Sequence, residues 1–218
     1  MNELRPTDAV APHAASPPAP VARGSDGFRT TLERRTPMSG ADAALHLSEA
    51  WCARFGAPPE PRTLAVLWAQ WALETGRGQS MLGYNFAGLK GTGPTGKSTV
   101  TWTHEGHGAN EHRERARFRA YDTAADGARD YLDLLATRFP GALRAAGEGS
   151  PDRFVGELRR GGYFTADPTK YRDAVKGLTH EYTRQGPSAG IPAAPVDPGP
   201  AVEALLWTLG RAIARHTG

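Results

Sequence analysis

The sequence predicts an α+β fold dominated by helices, and three features of the chain indicate it. Apolar residues make up 39% of the 218 residues, which is enough for a sizeable core. Residues 97–122 are poor in helix signals and alternate in part, which predicts a small β-hairpin or irregular lobe. Five other stretches carry apolar residues at helical spacing: residues 41–55, 62–75, 123–138, 150–160 and 170–184.

The predicted helices are bounded by residues that commonly begin or end helices. The first helix begins after Ser39 and ends at Gly56, and the second follows two prolines and ends at Gly76. The third is followed closely by Pro140, which cannot continue a helix interior. The fourth and fifth stretches are further helix candidates.

Two proline-rich segments set the predicted limits of the domain. Residues 1–38 are rich in Pro, Ala and Ser and lack a sustained apolar period, which predicts a flexible arm. Residues 186–200 (GPSAGIPAAPVDPGP) predict an extended linker. One compact domain is therefore expected over residues 39–185.

An amphipathic helix is predicted beyond the linker, over residues 201–218. Its basic residues Arg211 and Arg215 lie towards its end. This helix could dock back on the domain, bind a partner or lie on a membrane. Its apolar residues share one face: Val202, Leu205, Leu206, Leu209 and Ile213.

Composition and charge exclude several classes of protein but do not select one. The sequence lacks a run of about eighteen apolar residues, so we expect no transmembrane helix. Its single cysteine, Cys52, permits no internal disulfide. A net charge of +3 would favour contact with a polyanion, whether nucleic acid, membrane or cell wall. The first twenty residues do not resemble a secretory signal, which predicts synthesis in the cytoplasm without classical export.

Glu74 is the most informative residue of the chain. It follows Leu64, Leu67, Trp68 and Trp71 as the next member of an apolar helical stripe. Apolar neighbours and the negative end of the helix dipole both raise the pKa of such a carboxyl. A carboxyl that stays protonated near neutral pH is the general acid that a glycosidase requires. The alternative is a glutamate whose head reaches solvent at the helix end.

Four motifs, in the same order, resemble those of one known family. The segment ALETGRG is similar to an ALESGWG-type motif, and residues 85–91 (NFAGLKG) are similar to an NLFGIKG stretch. Residues 118–122 (FRAYD) resemble a FRAYDS signature, and residues 162–168 (GYFTADP) with Tyr171 resemble a GYATDPNYA ending. Together they resemble the bacterial N-acetylglucosaminidases of the flagellar peptidoglycan-hydrolase kind, glycoside hydrolase family 73.

This resemblance implies a lysozyme-like, two-lobed domain with a small β-hairpin lobe across a cleft. It implies an enzyme that cuts the glycan strands of peptidoglycan without a cofactor or bound metal. Glu74 occupies the position of the family's catalytic glutamate. Glu105 stands where the family has a second carboxylate, which could activate water or leave that assistance to the substrate's acetamido group. Tyr163 matches a tyrosine that lines the cleft near the acid.

The motifs also suggest residues that contact the sugar. Those expected to bind the substrate are Asn85, Phe86, Lys90 and Tyr121. Three positions depart from the family pattern, and each concerns sugar binding: Arg77 replaces a tryptophan, Trp71 an alanine, and Ala87 a common aromatic.

Two other motifs point to different chemistry. Residues 91–98 satisfy GxxxxGK[ST], the phosphate-binding loop, but no strand-like run precedes them and no helix signal follows. We therefore expect a glycine-rich loop instead of a nucleotide site. His104, His107 and His112 lie near Glu105 and Glu111, but their spacing is not that of a zinc-binding helix, so a solvated polar lobe is favoured.

Two alternative functions remain open at the level of sequence. A lytic transglycosylase also uses one glutamate on a lysozyme-like scaffold, and a wall-binding or assembly module would need no acid. Peptidoglycan is the expected partner, and nucleic acid is not. The action on the wall would follow non-classical export, injection or lysis, with the helix of residues 201–218 as a docking tail for a secretion or phage-tail-like machine.

Overall fold

The computed structural model describes residues 29–32, 34–105, 112–164 and 167–187, without the side chains of residues 29–32, 103–105, 112 and 113. The remainder of the predicted arm, most of the linker and the helix predicted for residues 201–218 lie outside the described residues. The described elements are β1 (Arg29–Leu32), α1 (Gly40–Phe55), α2 (Pro61–Glu74), β2 (Lys97–Glu105), β3 (His112–Arg119), α3 (Ala124–Arg138), α4 (Pro140–Gly147), α5 (Pro151–Arg160) and α6 (Pro168–Gln185).

The predicted fold class, a helix-dominated α+β domain with a small β-lobe, is confirmed. All five predicted helices are present, with ends within two residues of those expected. Helix α4 was not predicted. Pro140 does end α3, as expected, but it also occupies the first turn of α4, where its missing N–H costs no hydrogen bond.

The β-lobe is a three-stranded sheet in the order β1-β2-β3. Strands β2 and β3 are antiparallel, with Ser98 opposite Arg119 at the base and Glu105 opposite His112 at the far end. Strand β1 runs parallel to β2 and lies inside the segment predicted as a flexible arm. Four residues of the predicted arm thus belong to the sheet, because the backbone of residues 29–32 joins its edge.

Helix α2 forms the centre of the core. It packs against α6, α1 and α4, so its residues from Ala65 to Leu73 are buried all around the helix and not only along one stripe. Trp68 and Trp71 are fully buried, and the Trp68 indole donates to the Gly40 carbonyl at 2.9 Å. The helix that ends at Glu74 is therefore fixed on all sides. Among the described residues no helix has the length and apolar content needed to cross a bilayer.

Candidate active site

The turn after α2 places Glu74 at the last position of the helix. The Arg77 N–H donates to the Ala72 carbonyl at 2.7 Å, with Gly76 in the left-handed region (φ 56°), as in a Schellman-type helix end. The Thr75 hydroxyl donates to the Trp71 carbonyl at 2.6 Å and accepts from the Gly78 N–H at 2.9 Å. These bonds satisfy backbone groups that the end of a helix leaves open, and they fix the turn that carries Glu74.

Arg77 adopts a left-handed backbone (φ 55°), which is uncommon for a residue other than glycine. Its guanidinium makes two parallel hydrogen bonds of 2.7 Å to the Glu181 carboxylate on α6. Such bidentate pairs are among the stronger charged contacts. Where the family pattern has a tryptophan, this chain therefore ties the turn to α6 through an ion pair.

The Glu74 carboxyl is enclosed by protein, although the residue keeps part of its surface accessible. Tyr171 donates its hydroxyl to Glu74 Oε1 at 2.8 Å, and a Cβ atom on Gly88 would lie 3.6 Å from Oε2. Burial raises the pKa of Glu74 from 4.5 to about 8, and the Tyr171 hydrogen bond acts in the opposite direction. A carboxyl with this pKa is largely protonated at neutral pH.

Three buried tyrosines surround the acid. Burial, together with the charge of Glu74, raises the pKa values of Tyr131, Tyr163 and Tyr171 well above 10. They therefore remain neutral hydrogen-bond donors across the whole range in which Glu74 titrates. Tyr131 and Tyr171 are joined through the side chain of Gln70, which lies one helical turn before Glu74.

Tyr163, predicted from the resemblance to line the site, lies close to Glu74 but is buried. Its hydroxyl donates to the Ala87 carbonyl at 3.1 Å, and its ring packs edge-on against Phe139 at 5.3 Å. The contact with Ala87 holds the loop that runs past the acid through Gly88. Its electrostatic coupling to Glu74 supports a place in the catalytic site, which stays a prediction.

The side chain of Asn85 holds the same loop in shape through hydrogen bonds to its backbone. Its side-chain oxygen accepts from the Ala87 and Leu89 N–H groups at 3.4 and 2.9 Å. Its amide donates to the Leu89 and Arg119 carbonyls at 2.9 and 3.1 Å. Because these bonds occupy its amide on both sides, Asn85 shapes the loop beside Glu74, and direct contact with a sugar stays a prediction.

The other expected sugar-binding residues lie in or near the base of the β-lobe. Phe86 is buried against Trp71, with ring centres 6.4 Å apart. Tyr121 is buried too, and its hydroxyl donates to Asp130. Burial, and to a smaller extent the charge of Asp130, raises the pKa of Tyr121 well above 10. Lys90 is half-buried beside β3. The two aromatic residues therefore support the walls of the site, and substrate contact by any of the three stays a prediction.

Glu105, the predicted second carboxylate, is the last residue of β2, opposite His112. Its side chain is outside the described part of the chain. The structure therefore places the residue at the far end of the β-lobe without testing its role as a base.

The structure describes the phosphate-loop motif but not the side chains of the predicted histidine cluster. In residues 91–98 the Gly93 N–H donates to the Lys97 carbonyl and the Gly96 N–H to the Gly93 carbonyl, both at 2.9 Å, and β2 begins at Lys97. A phosphate-binding loop requires a helix there, whereas this loop leads into a strand, as expected of a glycine-rich loop beside a β-hairpin. For zinc, the described residues include no group of three metal-ligating side chains. The side chains of all five residues in the predicted cluster lie outside the described ones, so the expectation against zinc stays a prediction.

The sequence reasoning missed three residues that contact the acid or its neighbours. Neither Gln70 nor Tyr131 was predicted to take part in the site. Tyr171 was noted only as part of a motif. The available signal was the period of α2 itself, since Gln70 precedes Glu74 by one turn and so shares its face.

Comparison with known proteins agrees with this geometry. A family model described as mannosyl-glycoprotein endo-beta-N-acetylglucosaminidase matches residues 62–184, more than half of the chain. The chain belongs to this glucosaminidase family. The match begins at α2 and ends within α6, so it includes Glu74, Gln70 and all three tyrosines. The prediction of a glycoside hydrolase is confirmed at the level of the family.

One curated relative is similar in sequence, and one solved structure is similar in fold. The peptidoglycan hydrolase FlgJ of Pseudomonas aeruginosa is 32% identical over 184 residues, which are 79% of this chain but only 42% of that protein. The chain therefore spans about two-fifths of the length of this curated relative. The catalytic domain of the autolysin Auto from Listeria monocytogenes has the same fold, with a TM-score of 0.51, 21% identity, and coverage of 70% of this chain and 88% of that one.

Proposed function

We propose that this chain hydrolyses the glycan strands of peptidoglycan at N-acetylglucosaminyl β-1,4 bonds, with Glu74 as the general acid. The observation that carries the proposal is the state of the Glu74 carboxyl. Its pKa of about 8 keeps the proton on at neutral pH, and the residue keeps some surface through which a substrate can reach it. A protonated carboxyl in a buried setting is what departure of a sugar oxygen requires.

In the proposed reaction, Glu74 gives its proton to the glycosidic oxygen while the bond from that oxygen to the anomeric carbon breaks. The bonding electrons leave with the oxygen, and a water oxygen then bonds to the anomeric carbon. Glu105 could take the proton of that water, or the acetamido group of the substrate could assist first. The Tyr171 hydroxyl, 2.8 Å from Oε1, stabilises the carboxylate that the acid leaves behind.

Family membership and one relative support the substrate. The family model is described by N-acetylglucosaminidase activity, and the Pseudomonas relative is called a peptidoglycan hydrolase. The mildly basic composition fits an anionic wall as well, since the sequence pI is about 9.2.

The products of wall digestion test the bond and the reaction type. We expect purified peptidoglycan to release fragments with N-acetylglucosamine at the reducing end, measured by borohydride reduction and mass spectrometry. Fragments with a 1,6-anhydromuramic end would identify a lytic transglycosylase instead. Walls that the protein binds without release of any fragment would identify a binding or assembly module.

We further propose that residues 201–218, outside the described residues, form a docking tail for a secretion or phage-tail-like machine that brings the domain to the wall. The support is the amphipathic pattern that follows a proline-rich tether. Deletion of residues 201–218 should leave cleavage of purified walls within about twofold and abolish delivery by the native producer, measured in culture supernatants or target cells. Loss of cleavage by the purified deletion variant would place this segment in the catalytic fold instead.

A further inference from the structure

A chain of three hydrogen bonds, two of them buried and the last part-buried, ends on the Glu74 carboxyl. Tyr131 donates its hydroxyl to Gln70 Oε1 at 2.6 Å, and Gln70 Nε2 donates to the Tyr171 hydroxyl oxygen at 3.2 Å. Tyr171 then donates its own proton to Glu74 Oε1 at 2.8 Å. All three bonds run in the same direction, from α3 through α2 to α6 and back to the end of α2.

Tyr131 determines the donor-to-acceptor direction of these three hydrogen bonds. In the described part of the protein, the Tyr131 hydroxyl donates to Gln70 Oε1 and to no other acceptor. If the Gln70 amide were turned over, its NH₂ group would face that hydroxyl, and a fully buried donor would lose its partner. Tyr131 therefore holds the amide oxygen on its own side, and the amide NH₂ is left to face Tyr171.

The orientation of the Gln70 amide also determines which acceptor receives the proton of the Tyr171 hydroxyl. A tyrosine hydroxyl has one proton to donate. Because its oxygen already accepts from Gln70, the hydroxyl has no amide acceptor on that side, and its proton turns to Glu74. With the amide turned over, the Gln70 carbonyl would compete with Glu74 for this proton.

We propose that Gln70 and Tyr131 are positioning residues that orient the Tyr171 hydroxyl as a donor to Glu74 and so favour the carboxylate formed when the acid gives up its proton. This inference rests on the proposed role of Glu74 as the acid. Hydrogen bonds that run in one direction polarise one another, which strengthens the last of them. Three titratable groups of the described chain interact electrostatically with Glu74: Tyr131, Tyr163 and Tyr171.

Two substitutions test the chain of bonds. Tyr131→Phe removes one oxygen atom and allows the Gln70 amide to turn over, so Tyr171 donates to Glu74 for only part of the time. Gln70→Met keeps the volume of the side chain and removes both hydrogen-bonding groups. For Tyr131→Phe we expect the Glu74 pKa to rise by about half a pH unit to one unit, less than the one to two units expected for full loss of a charge-assisted hydrogen bond.

The Glu74 pKa is measured by NMR titration of the ¹³C-labelled side-chain carboxyl in the full chain, without substrate. The pH at which wall cleavage falls off at the alkaline side should move by the same amount and in the same direction. The double variant should match Gln70→Met alone, because the two residues act in series and their effects are not additive. If Gln70→Met does not fold, Tyr131→Phe decides the matter by itself.

Thr63→Val is the matched control. Thr63 is buried on the same helix, and its hydroxyl donates to the Gly147 carbonyl at 3.3 Å, about 16 Å along α2 from Glu74. Its loss should lower the melting temperature and leave the Glu74 pKa in place. The inference is overturned if the Glu74 pKa of both Tyr131→Phe and Gln70→Met stays within about 0.2 pH unit of its value in the unmodified protein. Because the titration needs no substrate, it decides this even if the protein cleaves no wall.

Discussion

Replacement of Glu74 by glutamine is expected to lower the rate of wall clearing by at least about 100-fold. Glutamine has the same shape, and its carbonyl can still accept the hydrogen bond that Tyr171 donates at 2.8 Å. Its amide N–H is far too weak an acid to protonate a departing sugar oxygen. The loss therefore reports on acid catalysis, and not on a change in the packing around the helix end. The measurement is loss of turbidity of purified walls at fixed protein concentration.

The same substitution is expected to make the protein more stable above pH 4.5. Burial raises the Glu74 pKa from 4.5 to about 8, so between these values the folded state holds a proton that the unfolded state has lost. Stability then falls as pH rises through this window. Glutamine does not titrate and escapes that loss, which amounts to roughly 1–3 kcal/mol at pH 7 once partial solvent access is allowed for. Urea unfolding at pH 4.5 and pH 7 measures the difference.

Activity and stability should thus change in opposite directions in one variant. Glu60→Gln is the control, because Glu60 is an exposed glutamate at the other end of α2. It should clear walls at the rate of the unmodified protein. Near-normal wall clearing by Glu74→Gln would contradict the assignment of Glu74 as the acid. A large loss of stability in this variant would show that the activity assay reports on unfolding.

The sequence was sufficient to predict the apolar environment of Glu74 and the helix that carries it, because these depend on local patterns; the role of Glu74 as the acid stays a prediction. The stripe of Trp68 and Trp71 predicts the helix, and Gly76 predicts its end, two residues after its last helical residue. The hydrogen-bond partners of the acid were out of reach for a physical reason. Gln70 meets Tyr131 across 61 positions of the chain and Tyr171 across 101, and no local pattern encodes such contacts.

The motifs identified residues that lie around Glu74, but they did not predict the structural partners of those residues. Asn85, Phe86 and Tyr121 are each buried with a structural partner, and their expected contact with a sugar stays a prediction. A motif fixes which residues accompany one another, whereas burial depends on how the loop around Gly88 folds onto α2. Strand β1 escaped prediction for a related reason, since four residues without an apolar pattern become a strand only when β2 offers an edge.

Gly78→Ala is expected to destabilise the protein by about 2–4 kcal/mol, with about 1 kcal/mol from backbone strain and the rest from overpacking. Gly78 has φ +84°, which a residue with a side chain rarely adopts. A Cβ atom there would lie 2.1 Å from the Met38 carbonyl oxygen and 2.9 Å from Trp71 Cζ2. The free energy of unfolding, measured with urea, gives the effect.

Gly177→Ala is the control and should have the opposite sign. Gly177 lies exposed inside α6 with open space around its Cα, so alanine there should stabilise the helix by up to about 1 kcal/mol. Equal destabilisation by the two variants would contradict the close approach at Gly78. The Gly78 N–H also donates to the hydroxyl of Thr75, the residue next to the acid. A shift of Gly78 should therefore move Glu74 as well, and wall clearing should fall more than the folded fraction of the protein does. A loss of activity in proportion to unfolding alone would mean that the turn after α2 does not position the acid.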